Sequence, residues 1–173
     1  YLVFNVLILW IRDNVDRVVF GVEVPASAFL TLTGLFVITI SPILLWLWRA
    51  QSVAGNEPSE VGKIGIGSCV GALAYLILAY CSLAYEIVNP FWVVIFFAVA
   101  DIGFLYYWPI TLALFSRVSP APIASTMMGV AFLALFMGNN IVGFVGKYYD
   151  SMEAHQFWLI PVGMYLVVAI FFG

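Results

Sequence analysis

Long apolar runs broken by short polar knots set the pattern of this chain. Residues 1–11 are apolar through Trp10, and the charged set Arg12, Asp13, Asp16 and Arg17 follows. That boundary predicts a partial spanning helix over 1–11, with an aromatic residue at the membrane interface. Gly21 and Pro25 punctuate a loop, and a second span is predicted over 26–48, ending at Trp46, Trp48 and Arg49. Pro42 lies inside it, where a missing N–H bends a helix. The polar stretch 51–60, with Gly55, Asn56 and Pro58, reads as an exposed loop. A third span over 63–85 carries Gly65, Gly67, Ser68, Gly71, Ala72 and Ala74, small residues at spacings that let helices approach closely in lipid. A fourth span covers 91–116 and a fifth 123–146, with Gly129, Gly138, Gly143, Gly146 and the pair Asn139 and Asn140. After the polar residues Lys147, Asp150, Glu153 and His155, a last partial helix is predicted over 156–173.

Runs of this length, at ~1.5 Å rise per residue, cross a ~30 Å hydrocarbon core. Composition agrees, with 65% hydrophobic and 9% charged residues and a mean hydropathy of +1.11. A chain of 173 residues cannot hide that much apolar surface in a water-soluble globule. The expected class is an all-α membrane protein, a single transmembrane helical bundle in contact with the lipid bilayer. A net charge of −3 without a block of basic residues leaves no footprint for nucleic acid. Cys69 and Cys81 lie ~18 Å apart along one helix, beyond disulfide reach, and read as small core residues. Positive charges tie between the two sides: Arg49, Lys63 and Arg117 on one, Arg12, Arg17 and Lys147 on the other.

The candidate chemistry lies in the fourth span. Asp101 sits near its middle, too deep for a short carboxylate to reach the interface, so it must face protein or a watery cavity. The structural reading is a carboxylate tying two helices together. The functional one is a protonatable group or a ligand for a cationic substrate, because buried surroundings disfavour the charged form unless a cation compensates. Phe104 and Trp108 share a helical face with Asp101, and Tyr107 lies close by. This group reads either as packing at a kink or as a cavity wall, its aromatic faces and polar tips suited to a ligand. Pro109 is a candidate bend for a gating helix, although proline bends are also common in static membrane helices. Asn139 and Asn140 need partners in lipid, as interhelical glue or as ligands. His155 reads as solvated. No hydrolytic triad, metal-ligand spacing or phosphate-cradling glycine loop appears, so no catalytic residue, metal or cofactor is expected.

The segment SRVSPAPIASTMMGVAFLALFMGNNIVG, residues 116–143, resembles the proton-dependent oligopeptide transporter family of the major facilitator superfamily. The resemblance rests on Arg117, Pro120, Met127, Met128, Gly129, Phe132, Leu133, Gly138, Asn139 and Gly143. The spacing from Pro109 to Pro120 fits as well, and DRVVFGVEVPASAF and NEPSEVGK resemble the loops after the family's seventh and eighth helices. The likeness covers nearly the whole chain. It implies the C-terminal six-helix bundle of the superfamily fold, helices seven to twelve, with the first and last truncated and the N-terminal half absent. It also implies a proton-coupled symporter of small peptides or peptide-like solutes, working by alternating access in a bacterial inner (plasma) membrane with 51–60 in the cytoplasm. Its partners would be protons, the substrate and the absent N-terminal half.

The family's usual Glu on helix ten is Phe104 here, and the Ser before its proline is Trp108. The cavity Trp of helix eleven is Ala131, and the Asn-Pro of helix eight is Thr33 and Gly34. Asp101 is expected to take over proton or substrate-cation binding, with Phe104, Tyr107, Trp108, Thr33, Ala131 and Asn139 shaping the substrate cavity. A non-transporting membrane scaffold or receptor that keeps the fold stands as the alternative.

Overall fold

The computed structural model describes residues 6–19 and 21–172, without the side chains of Val19 and Ala121. Residues 1–5 of the first predicted helix and the last residue of the sixth lie outside the described residues. The chain forms α1 (Val6–Asn14), β1 (Val18–Val19), β2 (Val22–Glu23), α2 (Thr31–Val53), α3 (Glu60–Ala84), α4 (Pro90–Val118), α5 (Ala124–Gly146) and α6 (Ala154–Phe172). Short 3₁₀ turns lead into α2 and α5, and another lies between α5 and α6. Among the described residues, five helices are long and apolar enough to cross a membrane.

Local chemistry explains the helix starts. Ser59 accepts a hydrogen bond from Gly62 N at 3.0 Å, and Glu60 sits in the first turn, where the helix dipole favours an acid. Asn89 accepts from Phe91 N at 2.9 Å, and Pro90 follows at the first helical position, where no N–H is needed. The third and fourth helices therefore start slightly earlier than predicted. Pro42, Pro109 and Pro161 all sit inside continuous helices.

The stretch between α1 and α2, predicted as plain loop, holds an antiparallel two-stranded hairpin pairing Val18 with Glu23 and Val19 with Val22. Gly21 takes φ +79, a backbone conformation that suits glycine and a tight hairpin. Beside it, Asp16 N donates to Val88 O at 3.0 Å and Val88 N donates to Asn14 O at 2.7 Å, clipping this loop to the α3–α4 connection.

α3 is the hub, packed against both α4 and α6. Its small residues make this possible: a Cβ added at Gly67 would lie 2.8 Å from Tyr106 Cβ and 2.9 Å from Gly103 O. One added at Gly71 would lie 2.7 Å from the Tyr165 ring. The close packing expected of this helix is therefore observed. The main core joins α1, α3, α4 and α6 through Leu7, Trp10, Leu78, Phe96, Phe97 and Trp158. By contrast, no described residue of α5 is buried, and its outward face carries Phe132, Leu133, Phe136 and Ile141.

Two orientation expectations are corrected. Trp10 is not presented to an interface: it is fully buried, its Nε1 donating to Ser82 Oγ at 2.9 Å and its ring 6.0 Å from that of Trp158. Cys81 is a core residue as expected, but Cys69 faces outward. On the face bearing the α2–α3 loop, Lys63 is only 7% exposed. Its ammonium pairs with Glu57 and lies 4.7 Å from the centre of the Trp48 ring.

Candidate functional site

The spacing of residues 97, 101, 104 and 108 along α4 puts them on one helical stripe, and this stripe borders a cavity of about 320 Å³. Phe97, Ala100, Asp101, Phe104, Tyr107 and Trp108 form the α4 wall. Gly71 and Tyr75 come from α3, Tyr165 from α6, Thr33 from α2 and Leu135 from α5. The tight contacts at Gly67 and Gly103 hold α3 and α4 together along this wall.

Asp101 is 4% exposed, and its Oδ2 is buried without a hydrogen-bond partner. Neither Lys, Arg nor His borders the cavity, and none of the ion pairs among the described residues involves Asp101. An acid held in this way is costly to keep in its ionised form. The rings around it are ordered by one another. Phe104 and Trp108 stack at 6.5 Å and 22°, Phe104 meets Tyr107 edge-on at 5.9 Å, and Tyr75 stacks on Tyr165 at 5.7 Å. Tyr107 meets Tyr165 at 6.4 Å, closing the wall from α4 to α6.

The structure thus brings together five residues singled out in the sequence: Asp101, Phe104, Tyr107, Trp108 and Thr33. Ala131 and Asn139 do not border this cavity. They lie one turn to either side of Leu135 on α5, which does. Asn139 is half-buried with its Oδ1 unpartnered among the described residues, whereas Asn140 donates to Phe136 O at 2.8 Å within its own helix. Pro109 is exposed beside Trp108, and α4 continues through it. Tyr75 and Tyr165 were missed in the sequence. Gly71 followed four residues later by Tyr75 was the available signal, a gap and a ring on one face of α3. Two further hollows lie near the α1–α2 loop, one apolar beside Phe29 and Phe91, one between Arg12 and Glu23. Neither includes a buried unpartnered acid. Among the described residues no three of His, Cys, Asp and Glu gather to hold a metal ion.

The sequence profile of the POT family matches residues 3–165. The chain belongs to the POT family. It is 29% identical over 158 residues to the peptide transporter YePEPT of Yersinia enterocolitica, covering 88% of this chain and 30% of that protein. It is 30% identical over 128 residues to a di-/tripeptide transporter of Lactococcus lactis, covering 71% of this chain and 25% of that one. Among solved structures, a POT peptide transporter in complex with sulfate superposes with a TM-score of 0.89 at 19% identity, covering 99% of this chain and 35% of its own. A POT family transporter in complex with 5-aminolevulinic acid gives 0.85 at 20% identity, covering 96% of this chain and 35% of its own. These likenesses establish an all-α POT fold and a multi-pass integral membrane polypeptide. The chain spans about a third of the length of the relatives it matches.

Proposed function

We propose that this POT chain is the C-terminal six-helix half of a proton-coupled symporter of small peptides or peptide-like solutes. An N-terminal half completes the central cavity, and the two halves rock against each other in alternating access. The observation that carries this reading is the buried, unpartnered carboxylate of Asp101 on the wall of an aromatic cavity. A carboxylate in that position is stabilised by taking a proton or a substrate cation, and exchange of one for the other, with release when the cavity opens to water, is what coupling requires. In this reading Phe104, Tyr107 and Trp108 shape the substrate cavity, Thr33 adds a hydroxyl, and Ala131 and Asn139, one turn to either side of Leu135, are assigned to substrate contact from α5. Pro109 leaves Leu105 O without its usual helical donor, a local weakness at which α4 can bend. The loop between α2 and α3 is assigned to the cytoplasm, in a bacterial inner membrane.

The names of the relatives support the cargo class, since several are peptide transporters, and one solved POT structure was obtained with alafosfalin. Phe104 and Ala131 favour the second reading, a scaffold or receptor that keeps the fold without transport, because both stand where the resemblance implies polar or aromatic substrate contacts. A screen of uptake into liposomes containing the full-length protein separates the two. Peptide and amphiphile uptake that rises with an inward proton gradient supports the symporter; no uptake of any of them, in protein shown to be folded, supports the scaffold.

A further inference from the structure

The wall around Asp101 has an uneven chemistry. Aromatic residues supply six of the eleven positions that border the cavity, Asp101 is its one charged residue, and the hydroxyls of Thr33, Tyr75, Tyr107 and Tyr165 complete its side-chain acceptors, enough for an amine as well. A primary ammonium brings three N–H donors, each needing an acceptor. A quaternary or fully alkylated ammonium brings none, and is held by an opposite charge together with aromatic faces. The stacked pairs Phe104–Trp108 and Tyr75–Tyr165 bring rings from three helices to the cavity, and the acid on the same wall is 4% exposed with Oδ2 unpartnered. The volume of about 320 Å³ falls at the small end of the ~300–1,000 Å³ usual for small-molecule sites.

We infer that this wall is an aromatic cage for an alkylated ammonium group, with Asp101 as its counter-ion and Tyr75, Phe104, Tyr107, Trp108 and Tyr165 as its faces. It rests on the proposed transport reading only in taking the cavity as the cargo site, and it names the cargo chemistry facing this half: trimethylammonium-bearing solutes are bound as well as amines.

The test uses the purified full-length protein and radiolabelled phenyltrimethylammonium in equilibrium dialysis, with neutral tert-butylbenzene as the isosteric control. The expected result is saturable binding at least about tenfold tighter than that of the neutral isostere. Asp101→Asn and Trp108→Leu should each weaken it about tenfold or more, and Asp101→Glu should retain it, in protein that stays monodisperse. Equal binding of cation and isostere, or binding unchanged in Asp101→Asn, overturns the inference. Peptide uptake into liposomes is measured in parallel. Uptake without ammonium binding removes the cage alone, whereas ammonium binding without uptake keeps the cage and removes transport.

Discussion

Gly67 offers the sharpest test of how α3 and α4 hold the cavity wall. In Gly67→Ala the new Cβ would meet Tyr106 Cβ at 2.8 Å, Gly103 O at 2.9 Å and Tyr107 N at 3.1 Å, where ordinary contact begins at 3.4 Å. Two of the three atoms are backbone, so relief requires α4 itself to move by several tenths of an ångström. Overpacking of this kind costs about 1–3 kcal/mol, while replacing a helical glycine by alanine returns about 1 kcal/mol of propensity. Gly163→Ala on the outer side of α6 is the control, since nothing lies within 4 Å of its added Cβ and only the propensity gain remains. The two variants should therefore differ by about 1–3 kcal/mol, with Gly67→Ala the less stable. For a domain of this size that corresponds to about 2–4 °C of melting temperature per kcal/mol. Thermal unfolding in one detergent, followed by intrinsic tryptophan fluorescence, reads the difference. Because Tyr107 borders the cavity, Gly67→Ala should also weaken ligand binding there. Equal melting temperatures for the two variants would refute the close approach on which this packing depends.

Trp10→Phe should cost about 0.5–1.5 kcal/mol for the lost hydrogen bond to Ser82, in addition to any packing loss. A double-mutant cycle with Ser82→Ala should return that coupling in chemical denaturation. Lys63→Met should unseat Trp48, seen as a red shift in tryptophan emission, because both the Glu57 pair and the contact between ammonium and ring are removed. The hydrogen bond from Lys63, with a smaller contribution from Ser52, holds the Glu57 carboxyl below its ordinary range. Glu57 therefore favours the folded loop above the ordinary carboxylate range, and that contribution fades as pH falls through the lowered value. The stability gap between wild type and Glu57→Gln should be present at neutral pH and close in acid, as melting curves across pH would show.

Most of the architecture was legible because lipid imposes length: each described spanning helix contains an apolar run between polar knots, although α2 continues to Val53, past the predicted end at 48 and into the stretch 51–60 read as loop. The small residues of the third span announced close packing, and Gly67, Gly71 and Gly103 meet as that chemistry requires. Spacing along α4 was enough to gather Asp101, Phe104 and Trp108. Orientation was harder to read. In a helix apolar on all sides no contrast marks the inward face, so Trp10 and Cys69 were placed wrongly and Tyr75 and Tyr165 went unnoticed. The hairpin at Val18–Val19 escaped because strands of two residues carry no period. Ala131 came from the family resemblance and Asn139 from the need of an amide in lipid for a partner, and the face of α5 that meets this cavity is represented by Leu135 between them.

The most direct measurement is proton-driven peptide uptake by full-length protein reconstituted with Asp101→Asn, beside wild type and Asp101→Glu. Replacing the acid by its amide keeps shape while removing the ionisable group proposed to exchange a proton or grip a cation, so the uptake should lose its dependence on an imposed pH gradient. An Asp101→Asn protein whose uptake climbs with the gradient as steeply as wild type would contradict the account.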